Sequence, residues 1–131
     1  MTIFSKIIAG EIPSYKIAEN ERFYAFLDIM PLVRGHVLVV PKQEVDQFFD
    51  MVQDDLSAIL VFAKPIADAI AKAIPCKRVG LSVIGLEVPH AHLHLVPISE
   101  MNDINFSRPK LKLELAEMEE IRQKIVAVLQ A

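Results

Sequence analysis

Residues 88–97 read VPHAHLHLVP, and through the middle of this stretch polar and apolar side chains alternate. A period of two marks a strand with one face toward a core and the other away from it. A strand over 88–96 sends Ala91, Leu93 and Leu95 inward and aligns His90, His92 and His94 on the opposite face. The chain has four histidines, so three of them share one short row. The fold must therefore build a sheet around this strand and also leave its histidine face something to do.

Other strands are predicted on either side. YKIAE (15–19), FYAFLDI (23–29) and GHVLVVPK (35–42) are β-like runs punctuated by Asn20-Glu21 and by Pro31 to Gly35, the pattern of an antiparallel meander. KRVGLSVI (77–84) adds a further strand, parted from the histidine row by Gly85-Leu86-Glu87. A short helix is expected from Ile3 to Ala9, with Ile3, Phe4, Ile7 and Ile8 on one side and Gly10 as its stop. A longer helix is expected from an Asp54 or Asp55 cap to about Ile74, its stripe formed by Leu56, Ile59, Leu60, Ala63, Ile66 and Ile70. Pro65 inside that stripe predicts a kink or a break. Residues 99–113 read as a connecting segment before an amphipathic C-terminal helix through Leu115, Met118, Ile121, Ile125 and Val128 or Leu129.

The expected fold class is α+β: a five-stranded antiparallel sheet with one long helix, a short N-terminal helix and a C-terminal helix. The 131 residues suit one domain over 1–131, with a core over 3–98 and a helical extension over 113–130. With 53% hydrophobic and 24% charged residues the chain reads as compact rather than disordered. Its net charge of −3 provides no basic field for a nucleic-acid backbone, so a nucleotide-like ligand would be held by a few aimed groups. Cys76 is the only cysteine, which rules out an internal disulfide and gives no sign of an oxidising compartment. No signal-peptide h-region follows the N-terminus, and no apolar run approaches the roughly 18 residues of a membrane helix. A soluble cytoplasmic protein with no membrane partner is the expectation.

Three readings of the histidine row stay open on the residues alone. Two imidazoles two residues apart can share a metal ion if a third ligand comes from elsewhere, with His36 and Glu87 as candidates. The row can also be a polar outer face without chemistry. Or it can be an anion site containing a nucleophile: one neutral imidazole attacks phosphorus while its neighbours donate to the phosphoryl oxygens. The middle residue, His92, is the natural nucleophile. Attack needs its proton on the ring nitrogen facing away from phosphorus, held there by an acceptor such as a backbone carbonyl.

HAHLHLV (90–96) matches the pattern His-φ-His-φ-His-φ-φ, with φ apolar, at every position, and the chain resembles the histidine triad (HIT) superfamily of nucleotide hydrolases and transferases. IFSKIIAGEIPSYKIAEN (3–20) is similar to that family's N-terminal helix and first strand, and AFLDIMPLVRGHVLVVPK (25–42) to its block upstream of the triad. The resemblance implies a phosphoramidase-like enzyme in which His92 attacks the α-phosphorus of a nucleotide conjugate and water then releases the nucleoside monophosphate. It implies that His94 contacts the same phosphate and that His90 and His36 complete the polar network. Asp28 would accept hydrogen bonds from the ribose hydroxyls, and Ile3, Phe4, Ile7, Phe26, Ile29 and Leu38 would sandwich the base. It further implies a small-molecule nucleotide substrate, a homodimer, and chemistry with no cofactor and no metal at the nucleophile. The alternative is a nucleotide-binding regulatory protein with little turnover.

One stretch departs from the family pattern. LSVIGLEVPH (81–90) is shorter than the family's polar segment before the triad, so Ser82 falls near the phosphate-binding asparagine position, Leu86 replaces a glutamine, and Glu87 replaces a small hydroxyl residue. A carboxylate beside a phosphate is repulsive, so Glu87 must face solvent, carry a proton, or pair with a cationic leaving group. The paired N-terminal cysteines of zinc-containing members are also missing, since Thr2-Ile3-Phe4-Ser5 stands there.

Overall fold

The computed structural model describes residues 1–131. Helix α1 (Ile3–Ile8) is followed by strands β1 (Lys16–Glu19), β2 (Phe23–Leu27) and β3 (Val37–Pro41), then by the long helix α2 (Gln53–Ala73). Strands β4 (Arg78–Ser82) and β5 (Leu93–Ile98) and helix α3 (Leu115–Gln130) complete the chain. The five strands form one antiparallel sheet in the order β1-β2-β3-β5-β4, which bears out the predicted α+β architecture.

The two faces of the sheet have different covers. Alternate residues Phe23, Ala25 and Leu27 of β2, Val37 and Val39 of β3, and Leu93 and Leu95 of β5 pack against Ile59, Ala63, Ile66 and Ile70 of α2 and Met118, Ile121 and Ile125 of α3. The opposite face carries Tyr24, Phe26, Leu38 and Val40, over which α1 lays Phe4. The same alternation that drives Leu93 and Leu95 into the main core turns His94 toward the α1 side.

Several elements differ from the expectation, each for a local reason. Strand β5 begins at Leu93, so His90 and His92 precede it. The register that pairs Val39 with Leu93 would set Pro41 opposite Ala91, and proline has no N–H for the ladder. The Ala91 N–H turns instead to Val45 O at 2.6 Å. Helix α2 runs unbroken through Pro65, which lies on its exposed side; the Val61 carbonyl left without an N–H partner also belongs to an exposed residue. Its N-cap is Val52 rather than Asp54 or Asp55, both of which lie in the first turn. Leu60 in α2 and Leu115 in α3 are exposed, so each apolar stripe is narrower than predicted.

Gly35, at φ +96, opens β3 in a conformation that favours glycine, and a Cβ there would lie 2.9 Å from Ile74 Cγ1. That tight turn delivers His36 to the sheet beside His94. No helix is long and apolar enough to cross a membrane.

Candidate active site

His36, His90, His92 and His94 are all buried and lie together on the α1 side of the sheet. A cavity of about 240 Å³ opens beside them, lined by Asp28, His36, His92, His94, Phe106 and Lys110, with the 84–87 loop along it. The His92 ring stands edge-on between Phe4 at 5.1 Å and His94 at 5.0 Å. The 5.0 Å between the His92 and His94 rings is shorter than the roughly 6.5–7 Å repeat of a strand, and His92 lies outside β5.

Hydrogen bonding fixes the proton on every ring. The His92 Nδ1 lies 2.7 Å from the His90 carbonyl oxygen, which can only accept, so Nδ1 carries the proton. Its Nε2 is left with a lone pair. His90 Nε2 donates to the Pro41 carbonyl at 2.8 Å, and its Nδ1 accepts from the Thr2 hydroxyl at 2.7 Å. The Leu32 N–H donates to His36 Nδ1 at 3.1 Å, which places the proton of neutral His36 on Nε2. That proton goes to His94 Nδ1 at 2.9 Å, so neutral His94 carries its own proton on Nε2.

Burial favours the neutral forms. It pushes His36 down to about 3, helped by the field of His94, and His94 down to about 4, helped by His92. His92 is lowered too, chiefly by burial and against the opposing bond to the His90 carbonyl. At neutral pH the site therefore offers an unprotonated nitrogen on His92.

Asp28 follows the end of β2. One carboxylate oxygen accepts from the Met30 N–H at 2.9 Å, and the other lies 3.8 Å from His36 Nε2. It is thus both a turn residue ahead of Pro31 and a wall of the cavity. Burial raises its pKa to about 6, and the nearby charge of Glu87 adds to the rise.

The other predicted positions divide. Phe4, Phe26 and Leu38 pack with one another in the core under α1, and Ile7 packs against them. Ile3 and Ile29 are 48% and 66% exposed and leave their side chains at the surface. Ser82 pairs with His94 across β4 and β5 and stays outside the lining of the cavity. Glu87 is exposed and lies on the cavity wall, and Leu86 beside it is 89% exposed.

Sequence reasoning missed Phe106, Lys110 and Thr2. The Phe106 ring meets His94 at 4.7 Å and His36 at 6.2 Å. One signal was legible: Phe106 is the only aromatic residue after Phe62, set in an otherwise polar segment. Thr2 caps α1 by accepting from the Ser5 N–H, and its own N–H and the Ser5 hydroxyl both donate to Glu44. Nothing in the sequence links residue 2 to residue 90.

Asp28, His36 and His94 place three ligand atoms within 4.8 Å of one another. Using His36 Nε2 on a metal would move its proton to Nδ1, against the Leu32 N–H that Nδ1 now accepts. Two donors would then face each other in a buried spot. The set gathered here is also not the expected pair of triad histidines. Its hydrogen bonding suits a proton-ordered polar network and not a metal site.

The HIT domain profile matches residues 9–101. An uncharacterized HIT-like protein of Borreliella burgdorferi is 34% identical over 131 residues, covering 94% of each chain. Adenosine 5'-monophosphoramidase HNT1 of Saccharomyces cerevisiae is 39% identical over 100 residues, 72% of this chain and 61% of the yeast protein. Among solved structures, a Hit-like protein involved in cell-cycle regulation from Bartonella henselae superposes with a TM-score of 0.85 at 30% identity, covering 97% of this chain and 95% of that one. Matched in profile, relatives and fold alike, the chain belongs to the HIT family.

Proposed function

We propose that the protein is a nucleotide hydrolase of the phosphoramidase type, acting at the α-phosphate of a nucleoside monophosphate conjugate. The observation that carries this reading is the 2.7 Å bond from His92 Nδ1–H to the His90 carbonyl. It holds the proton on the far nitrogen and leaves Nε2 free to attack. Attack forms a phosphorus–Nε2 bond and breaks the bond to the leaving amine, which departs with a proton taken from water. The positive charge that develops on the His92 ring strengthens its bond to the His90 carbonyl. Water then attacks phosphorus and gives its proton to the hydroxide left by the first step, the phosphorus–Nε2 bond breaks, and the monophosphate leaves with His92 neutral again. His94 Nε2–H, ordered through His36 and Leu32, donates to a phosphoryl oxygen.

Asp28 accepts from the ribose hydroxyls. The exposed Ile3 and Ile29 grip the base over a floor of Phe4, Ile7, Phe26 and Leu38. Ser82 acts only through His94, its partner across the sheet, and Glu87 faces solvent at the rim. The yeast relative's name, adenosine 5'-monophosphoramidase, supports this substrate class. The single free cysteine fits a reducing cytoplasm. The unpaired edge of β4, with Leu81 exposed on it, supports a homodimer.

The test is intact-protein mass spectrometry after brief incubation with an adenosine phosphoramidate and an alkaline quench, on wild type and on His92→Gly. One adenylyl group on wild type and none on the variant is the expected result. Binding without adduct or product would replace the enzyme reading with that of a nucleotide-binding regulator, which the exposed Leu86 and Glu87 would then explain.

A further inference from the structure

The segment that joins β5 to α3 enters the site. Arg108 donates to the Leu32 carbonyl at 2.7 Å and the Leu111 N–H to the Pro31 carbonyl at 2.8 Å. These ties strap the segment to the loop that orders His36. Beside them the Phe106 ring packs on His94, and Lys110 Nζ donates to the Phe106 carbonyl at 2.9 Å with its charge 5.9 Å from the Phe106 ring centre. Lys110 is half-buried and lines the same cavity as His92.

The charge around that cavity is otherwise unsuited to a phosphate. Its remaining charged groups are the carboxyls of Asp28 and Glu87. Ile84, Gly85 and Leu86 along the wall have no side-chain donors, Leu86 standing at the position where the family resemblance implies a glutamine. A phosphoryl group entering there would meet one imidazole N–H, the Ser107 hydroxyl and two acids, with Lys110 as the only cation. Lysine is a compact point charge whose ammonium can turn three donors to phosphate oxygens. Resting on the nucleotidyl-transfer reading, we infer that Lys110 binds the non-bridging oxygens of the transferred phosphoryl group, replacing the donors that the shortened 84–87 loop lacks. Its field already reaches His94, His36 and Asp28 and lowers the pKa of each.

The experiment compares adenosine monophosphate with adenosine, by calorimetric binding to the full chain as wild type, Lys110→Met and Lys110→Arg. Losing a charged hydrogen bond predicts about tenfold to hundredfold weaker monophosphate binding in Lys110→Met. Adenosine affinity should stay within about twofold, and Lys110→Arg should restore most of the loss, because the charge is kept. The rate of adduct formation at His92 should fall by a similar factor in Lys110→Met. Equal losses for adenosine and its monophosphate would overturn the inference, since Lys110 would then only hold its segment in place. Unchanged monophosphate affinity would overturn it as well, as would a wild type that does not prefer the monophosphate. A wild type that prefers the monophosphate but forms no adduct would sink the nucleotidyl-transfer reading alone. Lys110 would keep its binding role in that case if Lys110→Met abolished the preference.

Discussion

A single backbone carbonyl decides which nitrogen of His92 carries the proton, and on the proposed reading a single carboxyl, that of Asp28, holds the sugar. Asp28 titrates at about 6, so it is mostly ionised at pH 7 and can accept from two ribose hydroxyls. Below pH 6 it takes a proton and loses acceptor strength, so KM for a ribonucleotide should rise as pH falls through 6. His92 must be neutral to attack, and its pKa is lowered, so the loss of kcat on protonation is displaced below the ordinary imidazole value of about 6.5. Asp28→Asn should therefore raise KM about tenfold at pH 7, remove its dependence on pH near 6, and leave the acid limb of kcat in place. A pH series with ribose and dideoxyribose substrates checks this, because the variant should barely distinguish the two. An unchanged ribose preference would take Asp28 out of the sugar site. The histidine row was legible in the sequence from residue type and spacing, whereas Asp28 was singled out only by the family resemblance. The proton on each ring was not legible, because it depends on carbonyls and N–H groups brought together by the fold.

At the scale of elements, the two-residue period of the strands survived translation into structure better than the ends of the strands did. Leu93 and Leu95 are buried as alternation requires, yet the strand starts three residues after the first triad histidine, because Pro41 cannot pair where the register would need it. Pro65 read as a break, but on the solvent side of α2 the freed carbonyl can bond water, so the helix continues. Lys110 was hidden because the ties that bring its segment to the site, Arg108 to Leu32 and Leu111 to Pro31, are distant in sequence, and only the isolated aromatic Phe106 marked that segment. The edge strand β4 carries a further consequence. It has one neighbour, β5, and leaves Leu81 50% exposed on the helix-covered face. Two-fold pairing of β4 with its copy would continue the sheet and bury Leu81 twice. Sedimentation should give twice the chain mass of 14.7 kDa. Leu81→Lys should weaken the dimer about a hundredfold with the far-ultraviolet spectrum unchanged, since a charge would then sit twice in an apolar seam. A monomeric wild type at micromolar concentration would end this reading.

For the whole molecule, burying this site makes stability depend on acid. His36 and His94 bind protons at about 3 and 4 when folded and at about 6.5 when unfolded, so between those limits the unfolded chain holds more protons. Their contribution is complete above pH 6.5 and is lost as pH falls through the folded values, about 4 for His94 and about 3 for His36. Asp28 runs the other way: its folded value of about 6 exceeds the ordinary 3.8, so the folded chain holds the extra proton between those two values. Between pH 4 and 6 the buried histidines, His92 among them, outweigh the one acid, so unfolding free energy should fall on acidification. Exposed pairs such as Glu119–Arg122 add little to this slope because solvent screens them. Asp28→Asn removes the opposing group, so its stability should fall more steeply on acidification than that of wild type. Its stability at pH 7 should also exceed that of wild type, because an ionised buried carboxyl has been replaced by a neutral amide. Urea titrations at four pH values measure both slopes. Equal slopes for the two proteins would mean that Asp28 is ionised throughout this range, and its role in setting the pH dependence of KM would fall with it.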